Sequence, residues 1–159
     1  MKKLLLFITL ITTQFITQAQ DKGAAPNVND TKYTRIIDGV VSTEKYTEPK
    51  YDVKLLDEKE EVKLKLHYHK HVMLINTQNT PIEDYIFVQN RAKYMNNNTL
   101  PQYVKVPIAL NGKLLSQSDR KKMLPDVDIK KIKRIVYVNR ASAQHKYANV
   151  PMGVMEVFY

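Results

Sequence analysis

Hydrophobic and polar positions alternate along much of the chain, which is the pattern of half-buried β-strands. Residues 57–61 (DEKEE) are predicted to form a solvated turn, and short helices are predicted from Ser118 and near Ala141. The pattern therefore predicts an α+β protein, with a β-rich N-terminal region of hairpins followed by a unit of strands with one or two short helices. The predicted strands cover residues 33–37, 40–46, 51–55, 62–68, 72–75, 85–88, 103–110, 113–115, 133–138 and 154–158.

The first 19 residues have the pattern of an export signal. A positive start at residues 1–3 precedes an apolar run over residues 4–16, and Thr17 and Ala19 place small side chains before a cleavage point. The run is too short to span a bilayer, and no second apolar stretch appears later, so we expect no membrane-spanning segment after signal removal. An amphipathic helix that stays in the cytoplasm is the alternative for this segment.

The remainder divides at two polar stretches. Residues 20–31 are expected to be a flexible leader, and the Asn-rich stretch at residues 95–101 is expected to separate a β-rich region (residues 32–100) from a C-terminal unit (residues 101–159). Each region contains a similar turn, since residues 36–42 (IIDGVVS) correspond to residues 109–116 (ALNGKLLS). Either a duplicated unit or the convergence of hairpins on Asp-Gly and Asn-Gly turns explains this similarity.

Positive charge predominates, with 25 Lys and Arg against 16 Asp and Glu. An exported basic protein favours an anionic glycan, a lipid headgroup or an acidic protein face over nucleic acid, although the charge could serve solubility alone. The chain has no cysteine, which excludes disulfides, thiol catalysis and cysteine-metal sites. The densest basic cluster, and the candidate surface for an anionic partner, consists of Lys121, Lys122, Lys130, Lys131, Lys133 and Arg134.

A run of histidines is the candidate metal site. On a strand, His67, His69 and His71 would project from one face, and three imidazoles at this spacing can bind zinc or copper. Lys63 and Lys65 would share that face and repel a cation, so a solvated strand face is the alternative interpretation. The sequence contains neither a Gly-x-Ser-x-Gly nucleophile motif nor a glycine-rich phosphate loop, and we expect no enzymatic activity.

The C-terminal residues 103–159 resemble the plug domain of TonB-dependent outer-membrane receptors. The turn at Asn111-Gly112 is followed by Ile132-x-x-Ile135-Val136-Tyr137-Val138, by Ala141-Ser142-Ala143, by Tyr147 and by Gly153-Val154 before a closing strand. The chain departs from the family's pattern at Lys131, where an acid is usual, and at Ala148, where glycine is usual. The stretch from Ala148 to Gly153 is also one residue shorter than in the family. The motif residues are Asn111, Gly112, Ile132, Ile135, Val136, Ala141, Ser142, Ala143, Tyr147, Gly153 and Val154.

The resemblance implies a stand-alone plug-like module without a barrel, which binds partners through loops and is not catalytic. Together with the signal, this leads us to expect a non-enzymatic interaction module of the cell envelope, in the periplasm or associated with the outer membrane or the cell exterior. Its expected partner is an envelope protein or an anionic glycan or lipid headgroup, and no cofactor is expected. The alternative is a small secreted metal-binding protein that uses the histidine run.

Export predicts that the accumulated protein begins at Gln20. N-terminal sequencing of the protein purified from an envelope fraction tests this, because a signal peptidase would cleave after Ala19. Retention of Met1 on the accumulated protein would refute the signal assignment.

Overall fold

The computed structural model describes residues 26–95 and 100–159, and it confirms an α+β fold rich in strands. Two mixed four-stranded sheets are present. The first contains β1 (Thr34–Ile37), β2 (Val40–Val41), β3 (Tyr51–Leu55) and β4 (Val72–Thr77). The second contains β5 (Ile108–Leu110), β6 (Lys113–Leu114), β7 (Arg134–Val138) and β8 (Val154–Phe158). The helices are α1 (Glu58–Lys63), α2 (Pro81–Met95), α3 (Gln117–Met123) and α4 (Arg140–Gln144), with 3₁₀ turns at Leu124–Asp126 and Ile129–Lys131.

The two sheets have the same topology. The strand orders are β2-β1-β4-β3 and β6-β5-β8-β7. In each sheet the first strand forms a hairpin with the second and pairs in parallel with the last, and the third strand pairs antiparallel with the last. We call residues 34–77 the first unit and residues 108–158 the second unit. The shared topology supports the interpretation of a duplicated unit.

The two hairpin turns agree in their details. Asp38 and Asn111 both have φ of 48°, and each is followed by a glycine at positive φ. The backbone N–H of Asp38 donates to the carbonyl oxygen of Ile75 at 2.9 Å, and that of Asn111 donates equivalently to Val157 at 2.9 Å. The side-chain oxygen of each turn residue also accepts a backbone N–H from the end of the last strand. Asp and Asn suit this position because they tolerate left-handed backbone better than most residues.

The end of the second unit matches its prediction closely. The predicted strands at residues 133–138 and 154–158 are β7 and β8, which lie side by side, and α4 connects them in sequence. Asn139 caps α4 by accepting the N–H of Ser142 at 3.0 Å. Ala143 is fully buried with Tyr147 and Val154, whereas Ala141 lies on the exposed side of the helix.

The predicted turn at residues 57–61 and the predicted strand at residues 62–68 are wrong because a capped helix begins there. Residues 57–61 are not a turn: Asp57 caps α1 by accepting the N–H of Glu60 at 2.8 Å, while the Glu60 carboxylate accepts the N–H of Asp57. The predicted strand at residues 62–68 is therefore partly helix and partly loop, with Leu64 and Leu66 buried.

The predicted strand at residues 85–88 lies inside α2. Thr80 and Glu83 cap this helix reciprocally, and Pro81 occupies its first position, where a missing N–H costs nothing. Ile82 and Ile86, one turn apart, are both buried in the core cluster of the second unit. This helix precedes the predicted boundary at residues 95–101, yet it packs on the second unit.

Smaller differences concern the ends of elements. Of the expected flexible leader, residues 26–31 are described and packed, with Val28 buried beside Ile37 and the carbonyl oxygen of Val28 accepting from Arg35. Ser116, not Ser118, caps α3 by accepting the N–H of Asp119. The expected signal at residues 1–19 lies outside the described residues. Within the described ranges, no helix combines the length and the apolar character needed to cross a membrane.

Gly153 and Gly112 are suited to a matched pair of alanine substitutions. Both have positive φ, at 82° and 84°, but a Cβ on Gly153 would lie 2.4 Å from the carbonyl oxygen of Val138, whereas one on Gly112 would meet only Lys146 Nζ at 3.9 Å. Gly112→Ala should lower the free energy of unfolding by about 1 kcal/mol through backbone strain. Gly153→Ala should lower it by about 3 kcal/mol because a steric clash is added. Urea unfolding measures both, and equal losses would show that the contact at Gly153 is relaxed at little cost.

Candidate functional site

A buried cluster of four charged side chains joins the two units. Asp38 comes from the β1–β2 turn, Glu83 from the first turn of α2, Lys105 from the segment before β5, and Arg120 from α3. Each side chain is at most 7% exposed. We call these residues the ionic cluster. Because they come from four separate segments, the cluster fixes how the first hairpin sits against the second unit.

The charges in the ionic cluster alternate. Lys105 Nζ lies 3.1 Å from Asp38 Oδ1 and 3.6 Å from Glu83 Oε1. Arg120 contacts both carboxylates, with Nη1 2.7 Å from Asp38 Oδ2 and Nη2 paired with Glu83 Oε1. Thr77 completes the arrangement: its N–H donates to Asp38 Oδ1 at 2.9 Å, and its carbonyl oxygen accepts from Lys105 at 2.9 Å.

Burial determines the electrostatics of the cluster. Removal from water lowers the pKa of Lys105, and the neighbouring charge of Asp38 opposes this shift. Burial lowers the pKa of Arg120 for the same reason, again against the attraction of Asp38. Two carboxylates balance two cations, so the cluster is neutral as a whole. Since its charges are paired with one another, we interpret it as a joint between the units.

Backbone contacts reinforce this joint. Gly39, at the tip of the first hairpin, lies so close to the carbonyl oxygen of Lys105 and to Pro107 that a Cβ would be within 2.6 Å of both. The N–H of Val41 on β2 donates to the carbonyl oxygen of Asn149 at 2.8 Å. Met152, from the second unit, is buried in the core cluster of the first unit. The β2 edge of the first sheet is therefore covered by the second unit.

Two cavities border the joint. One, of about 320 Å³, lies between the first hairpin and the start of α3 and reaches Asp38 and Arg120. The other is an open cleft of about 660 Å³ between β3, the end of β4, α2 and the segment before β5. Its lining combines Asp52, Lys54, Asp84 and Tyr103. Burial, followed by the nearby Glu60, raises the pKa of Tyr103 to about 12, so this phenol stays neutral.

The predicted basic cluster is on the surface of the second unit, with one member engaged elsewhere. Lys121 forms an ion pair with Glu48 of the first unit. Arg134 stacks on Phe158, with its guanidinium carbon 4.3 Å from the ring centroid. The other four lysines are exposed, and within residues 26–95 and 100–159 none of them has an ion-pair partner. They are Lys122, Lys130, Lys131 and Lys133, which we call the free lysines.

Charge is distributed very unevenly between the two halves of the chain. Residues 100–159 contain eleven Lys and Arg against four Asp and Glu, a formal charge of +7. Residues 32–95 contain eleven Lys and Arg against ten Asp and Glu, a formal charge of +1. Ile129, which is 41% exposed, begins the 3₁₀ turn that carries two of the free lysines. This surface therefore combines unpaired cations with an exposed apolar side chain.

The histidine run does not form the predicted strand face. His67, His69 and His71 are exposed in the loop between α1 and β4. His71 Nδ1 lies 3.4 Å from Glu61 Oε1, and that carboxylate oxygen also accepts the N–H of Val72 at 2.7 Å. Among the described residues, no group of three or more His, Asp or Glu side chains is arranged to hold a metal ion. Metal binding by this run remains a prediction without structural support.

The role of the ionic cluster can be tested with a matched pair of substitutions at the two hairpin turns. Asp38→Asn keeps the left-handed turn, because Asn111 occupies the equivalent position, but it leaves two buried cations facing one carboxylate. Loss of one partner from a buried ion pair should lower the free energy of unfolding by about 3–5 kcal/mol. The reverse change, Asn111→Asp at the exposed turn, should cost less than about 1 kcal/mol. Urea unfolding of both variants tests this, and an equally small effect at Asp38 would contradict the role of the cluster.

Comparisons of the chain with models of protein families, with curated proteins and with solved structures found no significant match.

Proposed function

We propose that this chain is an exported, non-enzymatic interaction module of the cell envelope that binds an anionic envelope component through its second unit. The observation that carries the proposal is the charge distribution, +7 in residues 100–159 against +1 in residues 32–95. Solubility alone does not require such a bias, because charge spread evenly over both units would serve equally well. The four free lysines and the exposed Ile129 lie together in sequence on α3 and on the segment leading into β7.

The proposed relationship to TonB-receptor plug domains is a second component of this function. Its support is the place of the motif residues in the fold. Asn111 and Gly112 form the hairpin turn, Ile135 and Val136 lie on β7, Ala143 is the buried residue of α4, and β8 follows Gly153. The first unit repeats this arrangement of strands. We therefore propose a stand-alone module of two plug-like units, without a barrel.

The proposed location follows from the signal at residues 1–19. In the periplasm, at the outer membrane or outside the cell, anionic groups are abundant as lipid phosphates and acidic glycans. Among the described residues, the free lysines have no carboxylate within ion-pair distance, whereas Lys113 and Lys146 are paired with Asp119 and Glu156. Attraction between exposed lysines and such a surface is additive over several residues and is weakened by salt.

Vesicle binding tests the proposed function. The protein beginning at Gln20 should sediment with vesicles of equal parts phosphatidylcholine and phosphatidylglycerol, and it should remain in solution with phosphatidylcholine alone. Changing the free lysines to glutamine should weaken this binding by more than about tenfold, because each lysine near an anionic surface adds to the attraction. Polygalacturonate, an acidic polysaccharide, is the parallel ligand for an anionic glycan partner.

A matched control removes the same charge from the first unit. The exposed lysines Lys45, Lys50, Lys59 and Lys63 have no ion pair among the described residues, and their replacement by glutamine changes the net charge equally. This variant should retain binding within about threefold of the original protein. Equal losses in the two variants would show that only net charge matters, and no binding to either anionic ligand would overturn the proposal.

A further inference from the structure

Strand β3 forms a free edge of the first sheet. The opposite edge, β2, is covered by the contact of Val41 with the second unit. In the second sheet, β6 has only two residues, and α2 packs against β7. Free strand edges expose unpaired N–H and C=O groups and are natural sites for pairing with another strand.

The register of β3 identifies which backbone groups point outward. The N–H of Leu56 donates to the carbonyl oxygen of Val72 at 3.0 Å, so the hydrogen-bonded pairs with β4 continue at alternate residues, at Lys54 and Asp52. The N–H and C=O groups of the intervening residues, Tyr51, Val53 and Leu55, therefore face away from the sheet. Among the described residues, no group forms a hydrogen bond with them.

The side chains of β3 keep their apolar pattern when the strand is reversed, while the acid and the base exchange positions. Its sequence, YDVKL, places an apolar residue at the centre and at each end, with an acid and a base symmetrically between them. Tyr51 and Leu55 are 39% and 42% exposed, so both ends of the strand present apolar side chains that a partner strand could cover. Asp52 is exposed and has no ion pair among the described residues. This pattern is complementary to itself when the strand is reversed.

We propose that β3 pairs antiparallel with β3 of a second copy of this chain, about a two-fold axis at Val53. The outward N–H and C=O of Val53 bond with those of the partner's Val53, and Tyr51 pairs with the partner's Leu55. Asp52 and the partner's Lys54 then form a pair without backbone hydrogen bonds, where opposing side chains are closest. The two first sheets become one continuous sheet of eight strands, and the partner's β3 extends the wall of the open cleft.

Charge selects this register over its neighbours. A shift of two residues in one direction places Asp52 opposite the partner's Asp52, and a shift in the other direction places Lys54 opposite the partner's Lys54. Both alternatives bring like charges together, whereas the register centred on Val53 forms two opposite-charge pairs. Lys54 already pairs with Glu60 at 2.9 Å, so in the dimer its ammonium lies between two carboxylates. A five-residue edge buries little area, and the dimer should therefore be weak.

Cross-linking through a single thiol tests the pairing. Because the chain has no cysteine, Val53→Cys introduces its sole thiol, and the Cα atoms of the two copies would lie about 5.5 Å apart, within the range of a disulfide. The matched control is Val62→Cys, at an exposed valine of α1. Under mild oxidation, the Val53→Cys protein beginning at Gln20 should form a disulfide dimer at least about tenfold faster than the control. Equal rates would overturn the proposal.

Charge variants in the Val53→Cys background test the register. Asp52→Lys alone and Lys54→Asp alone should each slow dimer formation by about tenfold, because like charges then face one another. Mixing the two variants should restore it, since every pair between the two different chains is again Lys opposite Asp. Circular dichroism checks that each variant is folded. Failure of the mixture to form cross-linked heterodimers would refute this pairing, whatever the behaviour of the single variants. The test is independent of vesicle binding.

Discussion

The ionic cluster of Asp38, Glu83, Lys105 and Arg120 is the interaction on which the arrangement of the two units depends. Four charges are withdrawn from water at one point, and such burial is unfavourable unless every charge meets an opposite one. The geometry satisfies this condition only when the first hairpin, α2 and α3 are all in place. The cluster therefore acts as a specific joint, and apolar contacts on either side of it, such as that of Met152, follow from the same placement.

The two units share a topology but have different roles. In the first unit the turn residue is Asp38, which is buried against the second unit. In the second unit Asn111 holds the same backbone conformation at the surface. The turn that joins the units therefore has the charged side chain of Asp38, whereas the exposed turn has the neutral side chain of Asn111. The free lysines and the exposed β3 edge likewise belong to different units, so the two proposed interactions use different parts of the chain.

The sequence predicted the elements whose local pattern and tertiary environment agree. Strands β7 and β8 and the alanine-containing helix were predicted because apolar spacing there matches the burial. Residues 57–61 were predicted as a turn, and residues 62–68 and 85–88 as strands, because alternation outweighed the reciprocal caps of Asp57 with Glu60 and of Thr80 with Glu83. Those capping pairs were visible in the sequence and could have corrected these predictions.

The candidate sites also differ in how far the sequence alone could predict them. The basic cluster could be predicted because its members are neighbours in sequence, although the engagement of Lys121 by Glu48 could not. The ionic cluster was missed because its members are scattered from position 38 to position 120, and no local pattern links them. The free edge of β3 required knowledge of the strand order, since the sequence YDVKL alone does not reveal which strand is outermost.

The unequal charge of the two halves has a mechanical consequence. Residues 100–159 carry +7 and residues 32–95 carry +1, so the field near an anionic surface would pull on the two parts of the chain unequally and exert a torque on the molecule. The rotation acts within about one screening length, roughly 8 Å at physiological ionic strength. In the proposed encounter, this torque would turn residues 100–159 towards the anionic surface before contact.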